Sequence, residues 1–256
     1  MNRINASLLL SVFTAGALAL GVASAAQAAP VKNIVLVHGA FVNGSGWKPV
    51  YEILRKDGYH VSIAEHPLTS FADDVTAVKR IVDQQDGPTI LVGHSYGGAI
   101  ITDVGNDPHV VGLVYIAAHA LDQGETEAQN GKLFPNATKA VKQTADGFLS
   151  LDPAFYPADF AADLPKAQAE FEAISQKPTA ASVFTTPAGV PAWKTKPSWY
   201  AVAGADRIIN PDLERMYAKR ANSHTIEIKG ASHSVYQSRP QEVAALIEQA
   251  ATHAAE

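Results

Sequence analysis

The 256-residue sequence contains no cysteine, which removes disulfides, thiolate metal sites and a cysteine nucleophile together. It is also short of positive charge. Twenty lysines and arginines stand against 25 acidic residues, for a net charge of −5. A protein that neutralises a phosphate backbone needs a basic footprint, so no nucleic-acid partner is expected. There is no H-E-x-x-H or comparable ligand spacing, and no glycine-rich dinucleotide loop follows the first apolar run. No metal and no cofactor are therefore expected. Charged residues are only 18% of the chain against 47% hydrophobic, too apolar and too patterned for a disordered protein. The length suits one large domain or at most two small ones, and no internal repeat is visible.

Long hydrophobic runs are scarce as well. The longest, Leu8–Val22, follows a positive start at Met1–Arg3 and precedes the small-x-small sequence Ala26-Gln27-Ala28. That order reads as a secretory signal peptide over residues 1–28, cleaved after Ala28, with Ala25 as the alternative position. The apolar stretch is about 15 residues, short of the roughly 18–20 needed to span a bilayer, and no basic stop-transfer cluster follows. A periplasmic or secreted product with no membrane anchor after cleavage is expected. Its oligomeric state is not legible.

Beyond residue 28 the chain alternates. Short, uninterrupted, β-branched runs predict strands buried on both faces at Asn33–Val37, His60–Ala64, Thr89–Val92, Val110–Ala117, Ser198–Ala203 and His224–Ile228. Helical patterns lie between them at Trp47–Lys56, Ala72–Gln85 and Tyr96–Val104, with a last one at Pro240–His253. Six strands alternating with helices predict an α/β fold: a doubly wound, mostly parallel sheet. Residues 121–196 break the rhythm. They are rich in proline and polar residues and lack a strong strand signal. A segment that long is not a plain loop. It is read as a mostly helical cap inserted into a core formed by residues 29–120 and 197–256.

The residues able to do chemistry gather at strand ends. Gly93-His94-Ser95-Tyr96-Gly97 has the form G-x-S-x-G. That pattern arises by chance in about one chain in ten of this length, so its setting carries the weight. It follows a strand directly and opens directly into a helix, the context of a nucleophile elbow with Ser95 at its tip. A serine hydroxyl needs a base, and the base needs an orienting carboxylate. His233 lies just past one later strand and Asp206 just past another. The carboxyl ends of parallel strands share one edge of the sheet, so Ser95, Asp206 and His233 are predicted to meet there. Asp122 and Asp212 are the competing acids. Tyr96, following the nucleophile, offers one backbone N–H to an oxyanion. Ala40, in the loop after the first strand, is the favoured second donor, with Phe41 one residue away as the alternative. Trp47 is expected as a lid on that loop. His38 and His94 are read as structural, and His119 as a candidate pocket residue. His60, His66, His109, His224 and His253 are read as surface or turn residues.

Taken together, VLVHGAF (Val35–Phe41), GSGW (Gly44–Trp47), GHSYGG (Gly93–Gly98), GADRIINP (Gly204–Pro211) and GASHS (Gly230–Ser234) resemble the α/β-hydrolase superfamily. Within it, they resemble small bacterial hydrolases related to plant methylesterases and hydroxynitrile lyases. The resemblance implies Ser95 as nucleophile, His233 as general base and acid, Asp206 as orienting acid, and a cap built from the insertion. It implies a six-stranded core. Hydroxynitrile lyases of this group carry a threonine and a lysine where this chain has Gly39 and Ser234, which argues against cyanohydrin cleavage. Dehalogenases and epoxide hydrolases of this fold use an aspartate nucleophile, and Ser95 argues against both. The implied activity is hydrolysis of a small-molecule carboxylic ester through an acyl-enzyme. A cofactor-free haloperoxidase or perhydrolase, an amidase, a lyase, or a non-catalytic ligand-binding homologue are the alternatives on the same fold.

Overall fold

The four inner strands of the central sheet divide their side chains between two cores. The computed structural model describes Met1 and residues 31–254. The remainder of the expected leader, with its cleavage site, lies outside the described residues. The first half of the chain runs β1 (Asn33–Val37), α1 (Lys48–Lys56), β2 (His60–Ala64), α2 (Phe71–Val82), β3 (Thr89–His94), α3 (Gly97–Val104) and β4 (Val110–Ile116). The intervening segment carries α4 (Glu127–Leu133), β5 (Val141–Gln143), β6 (Phe148–Leu151), α5 (Tyr156–Asp159), α6 (Lys166–Ile174) and β7 (Thr179–Ala180). The sheet then resumes with β8 (Ser198–Ala203), α7 (Pro211–Arg220), β9 (His224–Ile228), α8 (Val235–Ser238) and α9 (Pro240–His253).

Six strands pair in the order β2-β1-β3-β4-β8-β9, and every pairing is parallel. Alternation along a strand explains the continuous apolar runs. Ile34, Leu36, Ile90, Val92, Val114 and Ile116 face a core completed by α1 and α9, through Leu54, Val243 and Ile247. Val35, Val37, Leu91, Leu113 and Tyr115 face the opposite core, completed by α2, α3 and α7 through Val78, Ile100 and Leu213. With helices on both faces, the inner positions of the central strands are apolar, and polar residues such as Asn33, Thr89, His94 and Ser198 stand at strand ends. The outer strands β2 and β9 are only partly covered, in keeping with their mixed sequences.

Residues 121–196 depart from the helical expectation. Three helices are present, but β5, β6 and β7 also form a three-stranded antiparallel sheet. These strands are two to four residues long. A run that short shows no two-residue periodicity distinguishable from a helix or a loop. The segment bonds to the core at several points, among them Lys177 N–H to the Phe41 carbonyl at 3.0 Å and Ala180 N–H to the Leu68 carbonyl at 2.9 Å. Two further readings change. Trp47 is fully buried rather than a lid, its ring 4.7 Å from that of Tyr236, because the turn Gly44–Trp47 folds it inward. His66 is buried rather than exposed, stacked on His38 with ring centres 3.8 Å apart. Among the described residues, no helix is long and apolar enough to cross a membrane.

Candidate active site

The turn after β3 is fixed by close backbone approach. A Cβ on Gly93 would stand 2.6 Å from the Gly97 carbonyl oxygen, and one on Gly97 would stand 2.6 Å from that of His38. Neither contact is tolerable, and backbone atoms cannot swing aside. Between them Ser95 adopts φ +54°, a left-handed conformation that costs a non-glycine residue about 1–3 kcal/mol. The strained turn presents its side chain at the carboxyl edge of the sheet.

The structure brings Ser95, His233 and Asp206 together there. His233 Nε2 lies 2.8 Å from Ser95 Oγ, and His233 Nδ1 lies 2.5 Å from Asp206 Oδ2. A carboxylate only accepts, so Nδ1 carries the proton and Nε2 presents its lone pair to the serine hydroxyl. Asp206 is itself held: its Oδ1 accepts the amides of Ile208 (2.7 Å) and Ile209 (2.9 Å). The competing acids are engaged elsewhere. Asp122 pairs with Lys194, and Asp212 with Arg215. Arg207 is bound to Asp159, so it does not neutralise Asp206. His94 Nε2–H donates to the His233 carbonyl at 2.9 Å, which seats that loop, and burial pushes the His94 imidazole well below its ordinary range.

The two candidate oxyanion donors differ in what surrounds them. The Phe41 amide is spent on Thr179 Oγ1 at 3.1 Å. Among the described hydrogen bonds, the Ala40 and Tyr96 amides donate to none. Phe41 sits at φ +67°, pinned on both sides by Thr179 and Lys177 from the inserted segment. The insertion thus holds the loop after β1 in a strained form that leaves Ala40 free. A second network reaches both loops. Asp74, fully buried on α2, accepts the Tyr96 hydroxyl at 2.7 Å and the Leu68 amide at 2.7 Å. His66, 3.2 Å from Asp74, donates from Nε2 to the His38 carbonyl at 3.0 Å. Asp74 and Thr179 escaped the sequence reading. Nothing local marks either, because each acts on residues remote in the chain.

Glu214 lies beneath the site. It is fully buried on α7, accepting the Ala203 amide at 3.0 Å. Burial, reinforced by the Asp206 charge, raises its carboxyl well above the ordinary range. A raised acid stabilises the fold fully only below the range of a free carboxyl, and that contribution is lost as pH climbs toward its folded value. Glu214→Gln, which keeps a donor facing Asp206, is therefore expected to raise Tm at pH 8 by about 2–4 °C per kcal/mol relieved. The gain should vanish near pH 4. Equal shifts at both pH values in scanning calorimetry would contradict the assignment.

A cavity of about 310 Å³ opens onto Ser95. Its wall includes Ala40, Phe41, Phe134, Leu149, Phe184 and Leu213, so it is mostly apolar. His119 lines it too, together with Glu127. Among the described residues no cluster of histidine and acidic side chains is arranged to hold a metal ion.

This chain belongs to the alpha/beta hydrolase family, whose model matches residues 34–246. Its curated relatives include a carbendazim hydrolyzing esterase from Nocardioides sp. (strain SG-4G), 33% identical over 108 residues, which cover 37% of this chain and 45% of that one. The match to that relative therefore spans under half its length. An alpha/beta hydrolase from Aspergillus novofumigatus is 26% identical over 252 residues, covering 87% and 98% of the two chains. Among solved structures, a pyrethroid hydrolase from Sphingobium faniae JZ-2 superposes with a TM-score of 0.76 at 24% identity, over 88% and 99% of the chains. A methylesterase from Arabidopsis gives 0.73 at 16% identity, over 86% and 98%. At these identities the structures share the fold.

Proposed function

We propose that this protein is an exported serine hydrolase that cleaves small carboxylic esters by acyl transfer. The observation that carries the reading is the unbroken chain from Asp206 through His233 to Ser95 at the edge of an apolar cavity. His233 Nε2 takes the Ser95 proton as Oγ bonds to the acyl carbon. The Ala40 and Tyr96 amides stabilise the oxygen that becomes negative. His233 returns the proton to the leaving alkoxide as the ester C–O bond breaks. Water then repeats the cycle on the acyl-enzyme and releases the acid. Throughout, Asp206 stabilises the imidazolium and holds its tautomer. The relatives named as a carbendazim hydrolyzing esterase and a pyrethroid hydrolase support an ester as the substrate class. The leader sequence at residues 1–28 supports export.

A panel of p-nitrophenyl esters from acetate to decanoate, with matched p-nitroanilides, tests the reading. Turnover of esters well above anilides is expected, with saturation and a stoichiometric burst. Anilides cleaved as fast as esters would make the protein an amidase, and no turnover of any member would remove the catalytic reading.

The buried network behind the oxyanion donors predicts a distinct phenotype. In Asp74→Asn the amide presents a donor to either the Tyr96 hydroxyl or the Leu68 amide, leaving an unmatched buried group that costs about 1–3 kcal/mol. If Asp74 positions the oxyanion donors, kcat should fall roughly tenfold while KM stays within about a factor of two. Lowered stability with unchanged kcat would leave Asp74 a purely structural residue.

A further inference from the structure

We propose that one turn of the inserted segment, residues 159–163, positions the catalytic base, with Phe160 and Asp163 as positioning residues that hold the loop 232–234 in register with Ser95. The inference rests on the esterase reading above and gives the segment a part in proton transfer as well as in enclosing the substrate.

His233 must keep Nε2 in line with Ser95 Oγ while Nδ1 stays on Asp206, and small displacements at a reacting centre are costly. The sheet alone gives its loop little support. β9 is the edge strand of the sheet, and it ends at Ile228, with four residues between it and His233. The support comes from a remote part of the chain. Asp163 Oδ1 accepts the Ser232 hydroxyl, and the Ser234 amide donates to the Phe160 carbonyl at 3.0 Å. The residues on either side of His233 are thus both bonded to the inserted segment. The fully buried Phe160 ring stands 4.7 Å from the imidazole at 80°, an edge-to-face contact of the kind aromatic rings favour. His94 is also 4.7 Å from it, so the imidazole meets one ring from the sheet and one from the insertion.

The same turn reaches the orienting acid. Asp159 Oδ1 accepts from Arg207 Nε at 2.8 Å, next to Asp206 in the chain, and the Arg207 carbonyl accepts the Ala137 and Thr138 amides at 3.1 and 3.0 Å. One turn therefore bonds to the loops that carry both His233 and Asp206. Asp163 is itself anchored: Arg239, at the start of α9, stands 3.6 Å from its Oδ2. Phe160, Asp163 and Ser232 are not among the residues that line the cavity at Ser95. A change at any of them acts on the reaction through His233 rather than through the fit of the substrate.

The test measures Asp163→Ala, Asp163→Asn, Ser232→Ala and the Asp163→Ala, Ser232→Ala double variant on p-nitrophenyl acetate and hexanoate, alongside the rate at which a fluorophosphonate labels Ser95. Asp163→Ala is expected to lower kcat about tenfold for both esters, with KM within about a factor of two, and to slow labelling by a similar factor. Asp163→Asn keeps an oxygen for the Ser232 hydroxyl and should retain most of the rate. Ser232→Ala should match Asp163→Ala, and the double variant should be no slower than either, because all three lack the same bond. Phe160→Leu, which keeps the bond from the Ser234 amide but loses the ring, should likewise lower kcat with KM little changed. The proton NMR resonance of His233 Nδ1–H, identified by its absence in His233→Ala, should shift or broaden in Asp163→Ala and stay in place in Asp163→Asn. Should Asp163→Ala fail to fold, Ser232→Ala breaks the same bond and carries the test. Unchanged kcat and labelling in the alanine variants or in Phe160→Leu, a fall confined to KM or to one ester, or losses that multiply in the double variant would overturn the inference while leaving the esterase reading intact. A wild-type protein that neither turns over the esters nor takes the label would overturn both.

Discussion

Ser95→Ala is expected to lower kcat/KM for p-nitrophenyl acetate by about 10³–10⁶-fold while leaving the fold in place. The loss is large because one atom is asked to do the bond-making. Ser95 Oγ stands 2.8 Å from the base and opens onto the cavity. Without it, water must attack unassisted by a covalent step, and only the oxyanion donors and binding remain. Alanine fits the same φ of +54° no worse than serine, so a change in stability of less than about 1 kcal/mol is expected in urea titration. A variant with wild-type turnover and an intact fold would show that the hydrolysis takes place elsewhere.

Asp206→Asn carries the second large effect, a fall in kcat of about 10⁴-fold. The argument concerns a proton's location. Asp206 Oδ1 is committed to the amides of Ile208 and Ile209, so an asparagine keeps its carbonyl there. Its NH2 group then faces His233 Nδ1, which must become the acceptor. The imidazole proton moves to Nε2, and a protonated Nε2 cannot take the Ser95 proton. Substrate binding is left nearly unchanged, so KM should move far less than kcat. A loss smaller than tenfold would mean that another acid orients the imidazole, with the buried Glu214 beside Asp206 the first to examine.

Much of this arrangement is legible before any coordinates. All six strands of the parallel sheet lie where short β-branched runs place them; the four inner ones, covered on both faces, have no polar alternation to blur them, while β2 and β9 are only partly covered. Ser95, Asp206 and His233 were readable for the same reason: parallel strands put their carboxyl ends on one edge, and the glycines at 93 and 97 mark a turn too tight for side chains. What escaped shares a different cause. β5, β6 and β7 are too short to carry a period, and they hold together through pairing with one another. His66 reads as a turn residue until Asp74, eight positions on, folds back to meet it. Glu127 looks like any acid at a helix start, yet it is buried with His119 Nε2 3.1 Å from its carboxyl. Local pattern reports burial and turns. It does not report which distant polar groups meet.

The relation between the inserted segment and the sheet has a functional side. Thr179 and Lys177 bond to Phe41 and hold it at its positive φ, while the neighbouring Ala40 amide has no partner among the described hydrogen bonds. The same segment supplies Phe134, Leu149 and Phe184 to the cavity wall. In the proposed reaction, substrate selection and the setting of the Ala40 oxyanion donor would therefore both depend on one piece of chain.

The most direct measurement of the central claim is covalent labelling of the folded protein with a fluorophosphonate, read by intact mass and peptide mapping. One equivalent is expected, on the peptide containing Ser95, with labelling lost in Ser95→Ala, strongly slowed in Asp206→Asn and absent after heat denaturation. A native protein that takes up no label, or takes it up on a residue other than Ser95, would contradict the account.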